Sequence, residues 1–132
     1  MRRPGNLLGI GIDLLSWKRA RRFLAAHSFE FLKRLLTPSE QKAFRKSGSP
    51  LDFFVRAFTA KEAYFKACGG NGLAEAGLEG IETRMKEGNG FEVLSSPFDP
   101  SGALWTEGRF FETSEGLGAE AVLWGRKEKA GP

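Results

Sequence analysis

The pattern of apolar and polar positions divides the chain into a first strand, a helical stretch and a set of later strands. The first apolar run, over residues 7–13, contains two glycines that would let another backbone approach closely, so it predicts a central strand. Helical spacing and capping residues predict four helices, over residues 16–26, 28–36, 37–46 and 51–68. Short runs between glycine turns predict antiparallel strands, over residues 78–85, 91–94, 103–112 and 119–125. This order predicts an α+β fold, with an N-terminal strand and helices packed on a small antiparallel sheet.

Capping residues mark where several of these elements begin and end. Ser16 can cap the first helix through its hydroxyl. Thr37, Pro38 and Glu40 have the spacing of a capping box with proline at the first helical position. The glycine-rich stretch 69–72 is expected to stop the longest helix.

The composition is that of a soluble globular protein. Of the 132 residues, 41% are hydrophobic and 27% are charged, and this length is typical of a single domain. We expect residues 1–132 to form one domain, with 126–132 as a frayed tail. Cys68 is the only cysteine, which excludes an internal disulfide and favours a reducing compartment. No apolar stretch is long enough to span a bilayer, so we predict a cytoplasmic protein that binds no membrane.

The basic residues are concentrated in the first third of the chain. The net charge of +4 favours an acidic partner, but charge alone does not distinguish a nucleic acid from an anionic membrane or an acidic protein. A nucleic acid is disfavoured because the basic residues lack the interleaved aromatic residues of a stacking platform. Two clusters are present, namely Lys18, Arg19, Arg21 and Arg22, followed by Lys33 and Arg34. The alternative is that these clusters are only the solvated faces of helices.

The longest predicted helix carries an acidic residue on its apolar face. At about 100° per residue, one sector of this helix contains Leu51, Phe54, Val55, Phe58 and Phe65. Glu62 projects into the same sector, where an uncompensated carboxylate would cost several kcal/mol. Three solutions are open: an ion pair with Lys66 one turn further on, a raised pKa that leaves the acid neutral, or a metal ion.

Asp13 is a second acidic residue within an apolar run, at the carboxyl end of the first strand. One interpretation is that it caps the helix that begins near Ser16. The other is a Mg²⁺ site, since this ion commonly takes one or two carboxylates and completes its shell with water and phosphate oxygens. Lys66 and the backbone N–H groups of the glycine stretch 69–72 would then suit a diphosphate.

Two motifs resemble the two-part signature of the 4′-phosphopantetheinyl transferases. They are Gly9-Ile10-Gly11-Ile12-Asp13 and Phe58-x-x-Lys61-Glu62-Ala63-x-x-Lys66-Ala67-x-Gly69. Residues 31–40 are similar to the short, holo-acyl-carrier-protein-synthase type, and the resemblance covers about residues 7–72 well. It implies the fold of that family and transfer of phosphopantetheine from coenzyme A to a serine of an apo acyl carrier protein. The other product would be adenosine 3′,5′-bisphosphate, and the implied pathway is fatty acid biosynthesis.

The resemblance also implies roles for individual residues. Mg²⁺ is the implied cofactor, held by Asp13 and Glu62, and Lys61 would contribute charge or proton transfer. The implied coenzyme A-binding residues are Lys66, Arg56, Gly69 and Gly70. The implied partner is an acidic acyl carrier protein, docked on the basic residues Arg19, Arg22 and Lys18. Short members of the family form homotrimers, so we expect a trimer.

The chain departs from the family pattern at the expected general base. Many short members carry a Ser-x-Ser-His motif before the last strand, whereas residues 110–114 here contain no histidine, and none follows His27. His27 is predicted to be a surface or capping residue at the end of a helix. Glu112, Lys61 or a metal-ordered water could then accept the serine proton. The alternative function is a non-catalytic homologue that binds coenzyme A and a carrier protein.

Overall fold

The computed structural model describes residues 4–70, 78–99 and 102–126, which include a five-stranded antiparallel sheet. Its strands are β1 (Pro4–Ser16), β2 (Glu82–Met85), β3 (Gly90–Ser95), β4 (Leu104–Glu112) and β5 (Gly116–Arg126). The strand order is β1-β5-β4-β3-β2, and each neighbouring pair is antiparallel. The predicted α+β class with an antiparallel sheet is therefore confirmed.

The helices lie between β1 and β2 in the sequence. They are α1 (Trp17–Ala26), α2 (Phe29–Leu32), α3 (Pro38–Lys46) and α4 (Pro50–Ala67). The Ser16 hydroxyl caps α1 by accepting from the Arg19 backbone N–H at 3.0 Å. Thr37 and Glu40 form the predicted capping box at the start of α3. The four predicted helices are thus confirmed, although α2 ends at Leu32 and the chain continues as turns.

β1 is an edge strand, so the prediction of a central strand was wrong. It pairs with β5 in a register that places Gly11 opposite Ala121 and Asp13 opposite Ala119. The glycines of β1 do admit a close backbone neighbour, but that neighbour is helix α4, which packs on the face of the sheet. Glycine permits close approach without specifying whether the approaching backbone comes from the edge or from the face of a strand.

The sheet has one covered face and one that is open at β1. Helix α4 packs against β1 and β5, and the core between them includes Val55, Tyr64, Leu117 and Leu123. On the other face of β1, every second side chain is apolar and between 50% and 60% exposed, namely Leu8, Ile10, Ile12 and Leu14. Alternation along the strand therefore places an apolar strip on the surface.

The later strands also differ from prediction at their ends. Residues Leu78–Gly80 form a 3₁₀ turn, because the Ile81 N–H bonds back to the Leu78 carbonyl, so the strand predicted from residue 78 begins only at Glu82. Arg126 belongs to β5 rather than to a frayed tail, and residues 127–132 lie outside the described residues. Within the described ranges, none of the helices combines the length and apolar character needed to cross a bilayer.

Candidate active site where β1 crosses α4

β1 and α4 meet through glycines, and this contact determines where Asp13 lies. A Cβ on Gly11 would be 1.9 Å from the Ala63 carbonyl oxygen, and a Cβ on Gly9 would be 2.0 Å from that of Ala67. Only glycine therefore lets the strand run so close to the helix. Because alternate residues of a strand share a face, Asp13 also faces α4, further toward the N-terminal end of the helix.

Asp13 forms an ion pair with Lys66. The Lys66 ammonium donates to Asp13 Oδ1 at 3.0 Å and to the Ile12 carbonyl at 3.1 Å. The side chain of Asp13 is 15% exposed and that of Lys66 is 43% exposed, so the lysine is the more accessible partner of the pair. The interpretation of Asp13 as a helix cap is wrong, because the Ser16 hydroxyl makes the capping hydrogen bond of α1.

Glu62 lies in the apolar sector of α4 that helical periodicity predicts, and it is 5% exposed. It lines a cleft of about 260 Å³ between α1 and α4. Arg19 of α1 reaches the same cleft, and most of the other walls are apolar, including Leu15, Phe23, Phe31, Phe54 and Phe58. One acidic and one basic side chain thus face an otherwise apolar space next to the crossing of β1 and α4.

The donor set at this crossing fits Mg²⁺. Asp13 and Glu62 supply two carboxylates from the two elements that cross, and Mg²⁺ commonly binds one or two carboxylates while water and phosphate oxygens complete its octahedron. Across the three described ranges, no group of three or more histidine, cysteine, aspartate or glutamate side chains could hold a metal by itself. A structural zinc site needs four such ligands, so these residues suit an ion that shares its shell with substrate.

A second cleft, of about 510 Å³, opens beside Lys66 at the end of α4, and Cys68 and Gly69 also line it. Gly69 has a φ of +89°, and its N–H donates to the Lys66 carbonyl, while the Gly70 N–H donates to the Phe65 carbonyl. This is a Schellman motif, which uses both N–H groups to end the helix. The prediction that these two glycines offer free N–H groups to phosphate was therefore wrong, and residues 71 and 72 lie outside the described residues.

Lys61 lies away from the crossing, fully buried in a polar cluster. Its ammonium donates to the Leu35 carbonyl at 2.8 Å, to the Leu78 carbonyl at 3.0 Å and to the Glu40 carboxylate. Burial lowers the pKa of Lys61 from its usual value of 10.5, and the neighbouring Glu40 carboxylate raises this pKa in part. All three donor positions of the ammonium are engaged, so this geometry suits a structural role.

Glu40 is the residue of this cluster that sequence reasoning identified only as a helix cap. Its carboxylate accepts from the Thr37 N–H at 2.9 Å, from the Thr83 N–H at 3.1 Å and from the Thr83 hydroxyl at 2.6 Å. The capping-box spacing correctly predicted the hydrogen bonds between Thr37 and Glu40. Nothing in the spacing of residues 37–40 indicated that the same carboxylate would meet a lysine 21 residues later.

The remaining predicted site residues lie at some distance from Asp13 within this chain. Arg56 is held by Asp52, with its Nε 2.9 Å from Asp52 Oδ2, and its guanidinium lies over the Phe110 ring. Arg56 precedes Glu62 by six residues and projects about 120° away from it around the helix. Glu112 is exposed at the end of β4, which lies two strands from β1 and hence about 10 Å away.

Helix α1 carries the basic residues predicted to dock a partner. The four cationic side chains are exposed and lie within two turns of helix, namely Lys18, Arg19, Arg21 and Arg22. His27 is the C-cap residue of α1, its ring Nδ1 is 2.9 Å from the Phe23 carbonyl, and its ring stacks on that of Phe23. The prediction of His27 as a capping residue is therefore confirmed.

The chain is similar to known proteins over most of its length. Residues 9–114 match the 4′-phosphopantetheinyl transferase superfamily. The holo-[acyl-carrier-protein] synthase of Neisseria meningitidis serogroup A is 33% identical over 104 residues, which cover 76% of this chain and 78% of that protein.

Solved structures give the same result. The crystal structure of holo-[acyl-carrier-protein] synthase from Neisseria meningitidis aligns with a TM-score of 0.74 at 27% identity, covering 89% of this chain and 98% of that one. The Bacillus anthracis synthase in complex with coenzyme A (3′,5′-ADP) aligns with a TM-score of 0.71 at 26% identity, covering 90% and 97%. The chain therefore belongs to the 4′-phosphopantetheinyl transferase superfamily.

Proposed function

We propose that this chain transfers 4′-phosphopantetheine from coenzyme A to a serine hydroxyl of an apo acyl carrier protein. The serine oxygen forms a bond to the phosphorus next to the pantetheine, and the bond from that phosphorus to the bridging oxygen of the diphosphate breaks. Adenosine 3′,5′-bisphosphate leaves, and the serine proton passes to a base. The observation that carries the proposal is that β1 and α4 cross with Asp13, Glu62 and Lys66 at the crossing.

In this function Asp13 and Glu62 would hold Mg²⁺, which would neutralise charge that develops on the diphosphate. Lys66 would bind the diphosphate directly, because its ammonium lines the 510 Å³ cleft and is partly exposed. The Glu62 side chain would face the incoming carrier protein across the smaller cleft, which lies between α4 and α1. Catalysis would then consist mostly of positioning and of charge stabilisation.

The base that accepts the serine proton is best sought among exposed groups. The Lys61 ammonium is buried and engaged in three hydrogen bonds, so it has no lone pair to offer in that state. The Glu112 carboxylate is exposed, but it lies two strands from β1 within one chain, so a water at the site is better placed to take the proton. We therefore favour a water over Glu112 and Lys61, and we assign Lys61 to the structural cluster.

The basic helix α1 supports an acidic carrier protein as the partner. Arg19, Arg22 and Lys18 are exposed on α1, and Arg19 also lines the cleft that contains Glu62. An acidic surface docked on α1 would thus direct its serine toward the proposed metal site. This attraction acts between exposed charges, so it would weaken as salt is added. The single cysteine supports a cytoplasmic location, where such a thiol stays reduced.

The open face of β1 supports assembly of the chain into a homotrimer. Its exposed strip of Leu8, Ile10, Ile12 and Leu14 continues toward Trp124 of β5, whose buried indole N–H has no hydrogen-bond partner in the described part of the chain. Exposed apolar strips of this kind mark interfaces between proteins. Light scattering should give three times the 14.5 kDa chain mass, and a monomer would contradict the proposal. Residues 1–132 would form one transferase domain in each subunit.

Mass spectrometry of an apo acyl carrier protein incubated with coenzyme A and Mg²⁺ tests the activity directly. The carrier protein should gain one phosphopantetheine group, and chelation of the metal should prevent the gain. Asp13→Asn and Glu62→Gln should each reduce the rate by at least about 100-fold, since each removes a proposed metal ligand. Arg22→Glu should slow the reaction at low salt, with Lys42→Glu, an exposed change on α3, as the matched control.

Each outcome of that experiment separates the transferase from its alternative. No mass gain at any Mg²⁺ concentration, with a carrier protein that another transferase does modify, would refute the activity. If the chain then still bound coenzyme A tightly, the non-catalytic homologue would be favoured instead. Full activity in Asp13→Asn would show that the metal site lies elsewhere.

A further inference from the structure

The ion pair between Lys66 and Asp13 uses the same carboxylate that the proposed function gives to the metal. Lys66 Nζ lies 3.0 Å from Asp13 Oδ1. A Mg²⁺ ion bound to that oxygen would be about 2 Å from it, and two cations cannot share a site of that size without strong repulsion. Metal binding at Asp13 Oδ1 therefore requires the ammonium to leave that oxygen.

We propose that Lys66 is the resident counter-ion of Asp13, and that it is exchanged for the metal when a diphosphate offers its ammonium a new partner. The proposal rests on the proposed function, because it takes the metal and diphosphate sites from there. What it adds is that Lys66 and the metal compete for the Asp13 carboxylate. Lys66 would weaken binding of the bare metal and strengthen binding of the metal together with coenzyme A.

The surroundings of Lys66 allow this exchange without a change of the fold. Lys66 is on the last turn of α4, and the 43% exposure of its side chain leaves it free to turn. The same side chain lines the 510 Å³ cleft, so its ammonium can leave Asp13 and still face the space where a diphosphate would bind. Because the lysine side of this pair is partly exposed, opening it costs less than opening a fully buried pair.

The other cations of α4 are not available for this role. Arg56 is paired with Asp52, and Lys61 is buried on Glu40. Lys66 is paired with Asp13, a proposed metal ligand. The pair also explains how a carboxylate that is 15% exposed is compensated when no substrate is bound.

The exchange predicts a specific coupling between two ligands. Because the metal and coenzyme A both act on the Asp13–Lys66 pair, each should raise the affinity of the other by the same factor. In the wild-type chain we expect this factor to be about 10-fold or more, within the usual range of such coupling. Removal of the ammonium should reduce the factor, because the bare metal then meets no competitor.

Binding of Mn²⁺, followed by the electron paramagnetic resonance signal of the free ion, tests the exchange without an activity measurement. Without coenzyme A, Lys66→Met should bind Mn²⁺ about 5- to 10-fold more tightly than the wild-type chain. With coenzyme A this advantage should disappear or reverse, because the diphosphate has lost its lysine partner. Lys42→Met, which removes an exposed lysine of α3, should match the wild-type chain in both conditions. Lys66→Gln serves as a second variant if Lys66→Met does not fold.

The possible failures are distinguishable. If Lys66→Met and Lys66→Gln bind bare Mn²⁺ as the wild-type chain does, or more weakly, the exchange is refuted while the transferase activity can still stand. If Asp13→Asn leaves Mn²⁺ binding intact, the metal is not at Asp13 and the exchange is refuted as well. If the wild-type chain binds Mn²⁺ neither alone nor with coenzyme A and modifies no carrier protein, the proposed function fails and the exchange fails with it.

Discussion

Two lysines on α4, five residues apart, make ion pairs of opposite character. Lys61 is 0% exposed and donates to Glu40 and to two backbone carbonyls, whereas Lys66 is 43% exposed and bonds to Asp13 and one carbonyl. A buried pair cannot open without leaving an uncompensated charge in the interior. An exposed pair can exchange its partner for water or for another ion at little cost. Burial therefore decides which of the two lysines can take part in chemistry.

The carboxylates of the two pairs, Glu40 and Asp13, also differ in how firmly they are held. Glu40 accepts three further hydrogen bonds, from Thr37 and Thr83, and so ties the start of α3 to β2 and to α4. Asp13 accepts from Lys66, a partly exposed side chain at the crossing of β1 and α4. One pair therefore fixes the helix in the fold, and the other lies where substrate can reach it.

The contrast between the buried Lys61–Glu40 pair and the more exposed Lys66–Asp13 pair predicts its largest effect in Lys61→Met, as a loss of stability. Removing one partner of a buried pair leaves the Glu40 carboxylate without its counter-charge, and we expect the free energy of unfolding to fall by about 3–5 kcal/mol. Urea denaturation followed by circular dichroism measures this change. Adding Glu40→Gln to Lys61→Met should recover part of the loss, because the amide is neutral.

Lys66→Met is the matched control for that measurement. It removes a lysine from the same helix, but its pair is exposed, so the expected loss is less than about 1 kcal/mol. Equal losses in the two variants would contradict the contrast between the pairs. So would a Lys61→Met chain as stable as the wild type.

The elements with strong local signals could be predicted from the sequence. Two helix starts are fixed by hydrogen bonds between residues three apart, at Ser16 and at the capping box of Thr37 and Glu40. The spacing of such residues can be read directly from the sequence. The position of Glu62 on the apolar side of α4 also follows from periodicity alone. The candidate site was predicted to this extent because its helix is long and regular.

The contacts between distant segments could not be predicted in the same way. The two glycines of β1 indicated a close neighbour but not that the neighbour would be α4, so β1 was placed at the centre of the sheet instead of its edge. Lys66 was expected to pair with Glu62 or a phosphate, yet it reaches Asp13, 53 residues earlier. Such pairings depend on how elements pack, which local patterns do not specify.

A smaller effect, on pH dependence, would sharpen the contrast further. Burial lowers the pKa of Lys61 from its usual 10.5, so below pH 10.5 the unfolded chain takes up this proton more readily than the folded chain does. The contribution of Lys61 to the free energy of unfolding should therefore rise with pH across the alkaline range, up to about pH 10.5. The slope cannot exceed about 1.4 kcal/mol per pH unit, which corresponds to one proton.

Subtraction of the Lys61→Met variant isolates this contribution. Burial also raises the pKa values of Tyr64 and Cys68, so the folded chain retains those protons at high pH and loses stability there. Both residues are present in the wild type and in the variant, so their effect cancels in the difference. Urea denaturation of both chains at several pH values between about 8 and 10.5 should show a stability difference that grows with pH. A difference that stays constant or falls would mean that the protonated Lys61, held by Glu40, is favoured by the fold despite its burial.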